Sequence, residues 1–152
     1  MLIGILAATA APRFLDLSSD AKIAALNGIK SELQATITLA QAKARVSGLR
    51  PAAANPGGSL QTGYIVDFGF GSTEVDWRNL CPESRAEAGD QLEMLDFINI
   101  SGDDLESRVT NQHTLFGYDV PAAGTPTNQG CYILYDSFGN PECTLQVVTA
   151  DC

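Results

Sequence analysis

Positive charge is scarce in this sequence. Its 152 residues include 9 Lys and Arg against 18 Asp and Glu, which gives a net charge of −9. A surface that binds nucleic acid or anionic lipid does so through cations, and an acidic chain repels both of these partners. We therefore expect no nucleic-acid partner.

Residues that carry catalysis or hold cofactors are also few. Histidine occurs once, as His113, and no serine stands in a nucleophile-elbow motif. Gly69-Phe70-Gly71 begins like a nucleotide-binding fingerprint but lacks its third glycine and the helix that follows, so it predicts a turn. Asp103-Asp104 lacks the further carboxylates of a calcium loop and predicts a solvated loop. We expect neither an enzyme nor a cofactor or metal site.

No cysteine precedes Cys81, and none of the four cysteines forms a Cys-x-x-Cys pair. An even number without redox or zinc spacing favours two disulfides in an oxidising compartment. Four reduced thiols in a cytosolic domain are the alternative. Four cysteines allow three connectivities, and their spacing leaves all three open.

The sequence lacks a complete membrane span and a complete signal peptide. Met1 to Ala11 is an apolar run in which Thr9 is the only polar residue, but it has about half of the roughly 20 residues that span a bilayer. It has neither a basic region before it nor a small-residue cleavage site. The run therefore looks like the second half of a longer membrane segment.

A long helix is the main predicted element. After Pro12, which removes a helix hydrogen bond and predicts a bend, apolar residues recur at spacings of three and four. Gly48 and Pro51 predict the helix end, and Ser18 begins a stretch that could cap a helix restart. One helix of roughly 70 Å exceeds the diameter of such a domain. We therefore expect residues 1–17 to project and residues 18–152 to form a globular head. The apolar stripe consists of Ile23, Leu26, Ile29, Leu33, Ile37 and Ala40.

The rest of the chain predicts an α+β fold. A Pro/Gly/Ala linker is followed by a short strand at 64–70, a helix within 81–98 and a loop or single turn at 101–109. Strands at 114–120, 131–137 and 143–151 are rich in β-branched and aromatic residues. We expect an antiparallel sheet of three or four strands, whose apolar face packs on the stripe of the long helix.

The first twenty residues resemble those of a known family. "IGILAATAAPRFLDLSSDAK", with Gly4–Ala8 followed by Pro12–Phe14, is similar to the N-terminal helix of type IV pilins. "TAAPRFLDL" and "GCYILYD" are more particularly similar to mannose-sensitive haemagglutinin-type pilins. About ten residues that the family has before the position of Met1 are absent. They include the cleavage-site glycine and a glutamate near the mature N-terminus.

The resemblance implies a pilin fold and a structural function. Such a subunit is held in the inner membrane, handled by the pilus assembly machinery there, and polymerised with its own copies into a surface filament. The filament serves adhesion, and motility if it is retracted. Two alternatives are a pseudopilin of a type II secretion system and a membrane-anchored periplasmic binding domain. The residues expected to form the assembly helix are Gly4, Ile5, Leu6, Pro12 and Phe14.

Family members commonly close a C-terminal loop with a disulfide. Cys131 and Cys152 stand at the outer ends of the last predicted hairpin, so the resemblance favours their pairing. Cys81 and Cys143 would then form the second bond.

Overall fold

One helix dominates the architecture. The computed structural model describes residues 3–57, 61–87, 89–99, 104–139 and 143–152, with side chains from residue 18 onward. Helix α1, Ile3–Val46, has 44 residues, which corresponds to about 66 Å. It continues through Pro12 without a restart at Ser18. The N–H of Leu49 bonds to Ala44, and Gly48 adopts φ 88°, so the predicted glycine stop is confirmed.

The main sheet is antiparallel and has four strands in the order β3-β4-β5-β6. The strands are Glu106–Val109, His113–Asp119, Cys131–Asp136 and Thr144–Val148. Leu115 pairs with Leu134, and Tyr135 pairs with Leu145. The order follows the chain, as expected for strands joined by short connections.

A second sheet of two short strands precedes the main sheet. β1, Ile65–Asp67, pairs antiparallel with β2, Ser72–Glu74. Gly69, with φ 88°, lies in the turn between them, and the Phe68 N–H closes the turn on the Gly71 carbonyl at 2.8 Å. Gly69-Phe70-Gly71 is therefore part of a hairpin turn, as predicted, and the strand expected at 64–70 is shorter.

The core lies between one face of α1 and the main sheet. Leu26, Leu33 and Ile37 are at most 2% exposed and pack in one cluster with Ile133 and Tyr135. Full burial of each such side chain contributes about 1.5–3 kcal/mol. The packing of the helix stripe on an antiparallel sheet is thus confirmed.

Two predicted segments are wrong. The segment 81–98 contains no α-helix among its described residues. It has a bridge between Val75 and Pro82 and a short 3₁₀ helix, Met94–Phe97. The N–H groups of Gln91 and Leu92 bond to the carbonyl of Ser72, which lies outside the segment. These bonds take the place of the hydrogen bonds that a helix would form within the segment.

The second error concerns the segment 101–109, where a loop was expected. Its last four residues form β3 on the sheet edge, paired with β4. Three of its four residues are polar and the first two are exposed, so it lacks the alternation that reveals a half-buried strand.

Candidate functional site

The solvent-facing side of α1 carries a second apolar stripe. Its members repeat at alternating spacings of four and three, which is the spacing of a coiled-coil seam. All are exposed, with Leu39 58% and Val46 88% accessible, and Glu32 is the only charged member. The members are Ala21, Ala25, Gly28, Glu32, Ala35, Leu39, Ala42 and Val46.

The stripe is flat and free of obstruction. Gly28 would meet nothing within 4 Å if it carried a Cβ, and four alanines project only a methyl group each. Small side chains allow two helices to approach at the short end of the usual 8–10 Å interaxial distance. The surface is therefore suited to packing against another helix along its length.

The sequence-based interpretation overlooked this stripe. Charged neighbours such as Lys22, Glu32 and Lys43 suggested that the whole outer face of the helix is polar. Polar residues such as Gln34 and Thr38 instead lie on a separate exposed face, and Glu32 is the one charged residue within the stripe. The signal that could have found the stripe is its unbroken four-three spacing from residue 21 to residue 46.

The expected assembly residues precede this surface on the same helix. Gly4, Ile5, Leu6, Pro12 and Phe14 all lie within the helical span. Their side chains lie outside the described residues. The predicted projection of residues 1–17 likewise concerns side chains outside the described residues.

Two disulfides join the connections to the sheet. Cys131 bonds Cys152, with a Cα–Cα distance of 4.7 Å, and closes the β5–β6 hairpin at its outer end. Cys81 bonds Cys143, with a Cα–Cα distance of 5.6 Å, and ties the segment after β2 to the same hairpin. These are the pairs that the resemblance favours. They reduce the freedom of the unfolded chain and stabilise the head.

A group of acidic side chains is buried beside the second sheet. Burial, followed by the charges of Glu87 and Asp90, raises the pKa of Glu74 to about 7. Burial and the charge of Glu74 raise the pKa of Glu83 to about 8. Glu74 and Glu83 are only 2% and 4% exposed. Removing a carboxylate from water disfavours its charged form, which is the main cause of both shifts.

Asp90, whose charge acts on this group, forms hydrogen bonds with nearby backbone N–H groups. The Asp90 carboxylate accepts the N–H groups of Glu74 at 3.0 Å and Glu87 at 2.6 Å. Burial raises the pKa of Asp76, and the guanidinium of Arg78, 2.6 Å away, partly opposes the shift. Across the residues with described side chains, no three His, Cys, Asp or Glu are arranged to hold a metal ion. The raised pKa values of Glu74 and Glu83 predict that the stability of the head depends on pH.

The remaining residues singled out in the sequence stay apart from one another. Asp104 is exposed in a turn, and Asp103 lies outside the described residues. His113 Nε2 lies 3.7 Å from a carboxylate oxygen of Asp136, and both side chains are partly exposed. The backbone N–H of His113 donates to the Thr110 hydroxyl at 2.9 Å.

No helix in the described ranges is both long enough and apolar enough to cross a membrane. No protein-family model, curated protein or solved structure matches the chain.

Proposed function

We propose that this protein is a structural subunit of a type IV pilus. It polymerises through α1 into a surface filament that serves adhesion, with motility where the filament is retracted. Before assembly the subunit is held in the inner membrane by its apolar N-terminal segment and is handled by the assembly machinery there. The observation that carries the proposal is the exposed apolar stripe on a helix that already packs on its own sheet.

Two separate stripes give α1 two packing partners. The first stripe, which includes Leu26 and Leu33, is buried against the head. The second stripe faces solvent in the isolated subunit, and a neighbouring copy supplies a similar surface. Burying Leu39 and Val46 against that copy contributes at most about 1.5–3 kcal/mol for each side chain, since Leu39 is 58% exposed to begin with.

The sequence of the N-terminal run extends this surface. Met1 to Ala11 is apolar on every side, and such a segment is stable in lipid or among other apolar helices. The core of a filament places this segment among other apolar helices. Subunits with a net charge of −9 repel one another, so their association depends on apolar contact rather than on attraction between charges.

Adjacent substitutions on two faces of α1 test the proposal. Ala35 lies in the second stripe and Gln34 lies on the polar face, and both are exposed. Ala35→Glu should abolish filaments, whereas Gln34→Glu, which adds the same charge one residue away, should leave them. Negative-stain microscopy of cells expressing the full-length gene counts the filaments. Thermal unfolding of each purified variant shows whether the head still folds.

Three outcomes would contradict the proposal. Normal filaments from Ala35→Glu would exclude the stripe as an assembly surface. Equal loss of filaments in both variants would show that the added charge prevents assembly whether or not it lies in the stripe. If deletion of the gene leaves surface filaments unchanged in number and composition, the protein is not a filament subunit. The sequence of the N-terminal run adds an independent expectation, that a charge at Ile5 or Leu6 abolishes filaments while the head stays folded.

A further inference from the structure

An open groove lies at the tip of the β1–β2 hairpin, on the head. Its volume is about 550 Å³, within the range of small-molecule sites. Backbone glycines form much of its surface, and polar side chains and one aromatic ring stand around it. The lining includes Asp67, Gly69, Phe70, Ser72, Gly89 and Gln91.

Phe70 is exposed yet held in place. Its ring is 68% accessible, although its centroid lies 6.1 Å from that of Phe68 and 5.9 Å from that of Phe97. Phe68 and Phe97 also contact each other edge to face at 5.1 Å. The two supporting rings fix the orientation of the third. Phe70 therefore presents a rigid apolar surface to solvent at the groove.

Polar groups beside Phe70 have unused hydrogen-bonding capacity. One oxygen of Asp67 accepts the Gly69 N–H at 2.7 Å, which leaves the other oxygen available. Within the described ranges, the hydroxyl of Ser72 and the side-chain amide of Gln91 have no protein partner. These groups together offer two acceptors, one donor pair and a hydroxyl that does both.

We propose that this groove binds a hexopyranose sugar. A pyranose ring has one face of C–H groups, which packs on an aromatic ring, and a rim of hydroxyls, which pair with carboxylate and amide groups. The net charge of −9 disfavours anionic ligands. The inference rests on the proposed role in adhesion, for which it names the ligand class. Binding itself requires one subunit only.

Chemical-shift titration of the full chain tests the inference directly. The probes are methyl β-D-galactopyranoside and methyl α-D-glucopyranoside, and sorbitol is the control because it has the hydroxyls without the ring face. A monosaccharide has few atoms, so we expect a Kd on the order of 1 mM. At least one glycoside should shift the resonances of residues 67–72 and 89–91, and sorbitol should not.

Variants of the exposed ring separate stacking from general contact. Phe70→Leu keeps an apolar side chain but loses the flat face, and Phe70→Tyr keeps that face. We expect at least a tenfold weaker affinity for the first and retained affinity for the second. Asp67→Asn keeps the acceptor for Gly69 and removes the charge, so weaker binding there assigns the hydroxyl contact to the carboxylate. Phe70 is exposed, so we expect its variants to fold. Resonances outside the groove that match those of the parent confirm folding for each variant.

The following outcomes would overturn the inference. One is that neither glycoside shifts the groove resonances. Another is that sorbitol shifts them as much as a glycoside does, and a third is that Phe70→Leu binds the glycoside as tightly as the parent does. Loss of filaments in Phe70→Leu without any sugar binding would make the groove a subunit contact instead. Filaments without sugar binding count against this inference alone, whereas sugar binding by a chain that never forms filaments counts against the proposed function alone.

Discussion

The stability of the head should fall as the pH rises. In the folded chain the pKa of Glu74 is about 7 and that of Glu83 is about 8, against an ordinary value of 4.5. Between the ordinary and the raised values, the folded state holds protons that the unfolded state has released. The free energy of unfolding therefore decreases from about pH 4.5 to about pH 8 and then levels off.

The shifts give the size of this effect. One pKa unit corresponds to about 1.4 kcal/mol, so Glu74 alone would contribute about 3 kcal/mol and Glu83 alone about 5 kcal/mol. The two contributions do not add fully, because the charge of Glu74 is itself one of the causes that raise the pKa of Glu83. We expect a total loss on the order of 3–5 kcal/mol between pH 5 and pH 9.

Urea unfolding at several pH values measures this loss, and a neutral substitution assigns it. Glu83→Gln removes one titrating group in a similar shape, so it should be more stable than the parent at pH 9 and should flatten the pH dependence. Glu32→Gln, on the exposed face of α1, is the matched control and should leave the pH dependence unchanged. An unfolding free energy that rises from pH 5 to pH 9 would refute the argument. So would a pH dependence that Glu83→Gln leaves intact.

Three further substitutions test the packing of the head. Replacing both Cys131 and Cys152 by serine opens a loop with a sequence separation of 21 and should cost about 3 kcal/mol in urea unfolding; an unchanged unfolding free energy would contradict a structural role. Gly117→Ala places a Cβ against the β5 backbone and should lower the melting temperature by several degrees or prevent folding, whereas a melting temperature equal to the parent's would exclude this close approach. Tyr135→Phe leaves the Pro82 carbonyl without the hydroxyl that donates to it at 2.6 Å, and we expect a loss of about 1–3 kcal/mol; a neutral effect would show that the bond contributes little.

Periodic segments were predictable from the sequence. The apolar spacing of Leu26, Leu33 and Ile37 depends only on helix geometry, and the glycine stop at Gly48 depends on local backbone freedom. The strands that begin near residues 114, 131 and 143 followed from residue type. The segment after Cys81 was not predictable, because the N–H groups of Glu83, Gln91 and Leu92 bond to β2.

The two candidate surfaces also differ in how far the sequence predicts them. The spacing of the exposed stripe is present in the sequence, but only the packed helix shows which of its two apolar faces stays uncovered. The groove was outside the reach of sequence patterns, since Phe70 and Phe97 are far apart in the chain and meet through the fold.

By itself, the sequence determined the length of the helix, the β-branched and aromatic content of the main strands, the acidic charge and the even number of cysteines. These properties depend on residue type and on neighbours a few positions away. Only the tertiary structure decided that Glu74 and Glu83 are buried together, that the second stripe of α1 faces solvent, and that an aromatic ring stands beside a polar groove. Each of these depends on which distant segments exclude water from one another, and that is a property of the packed chain.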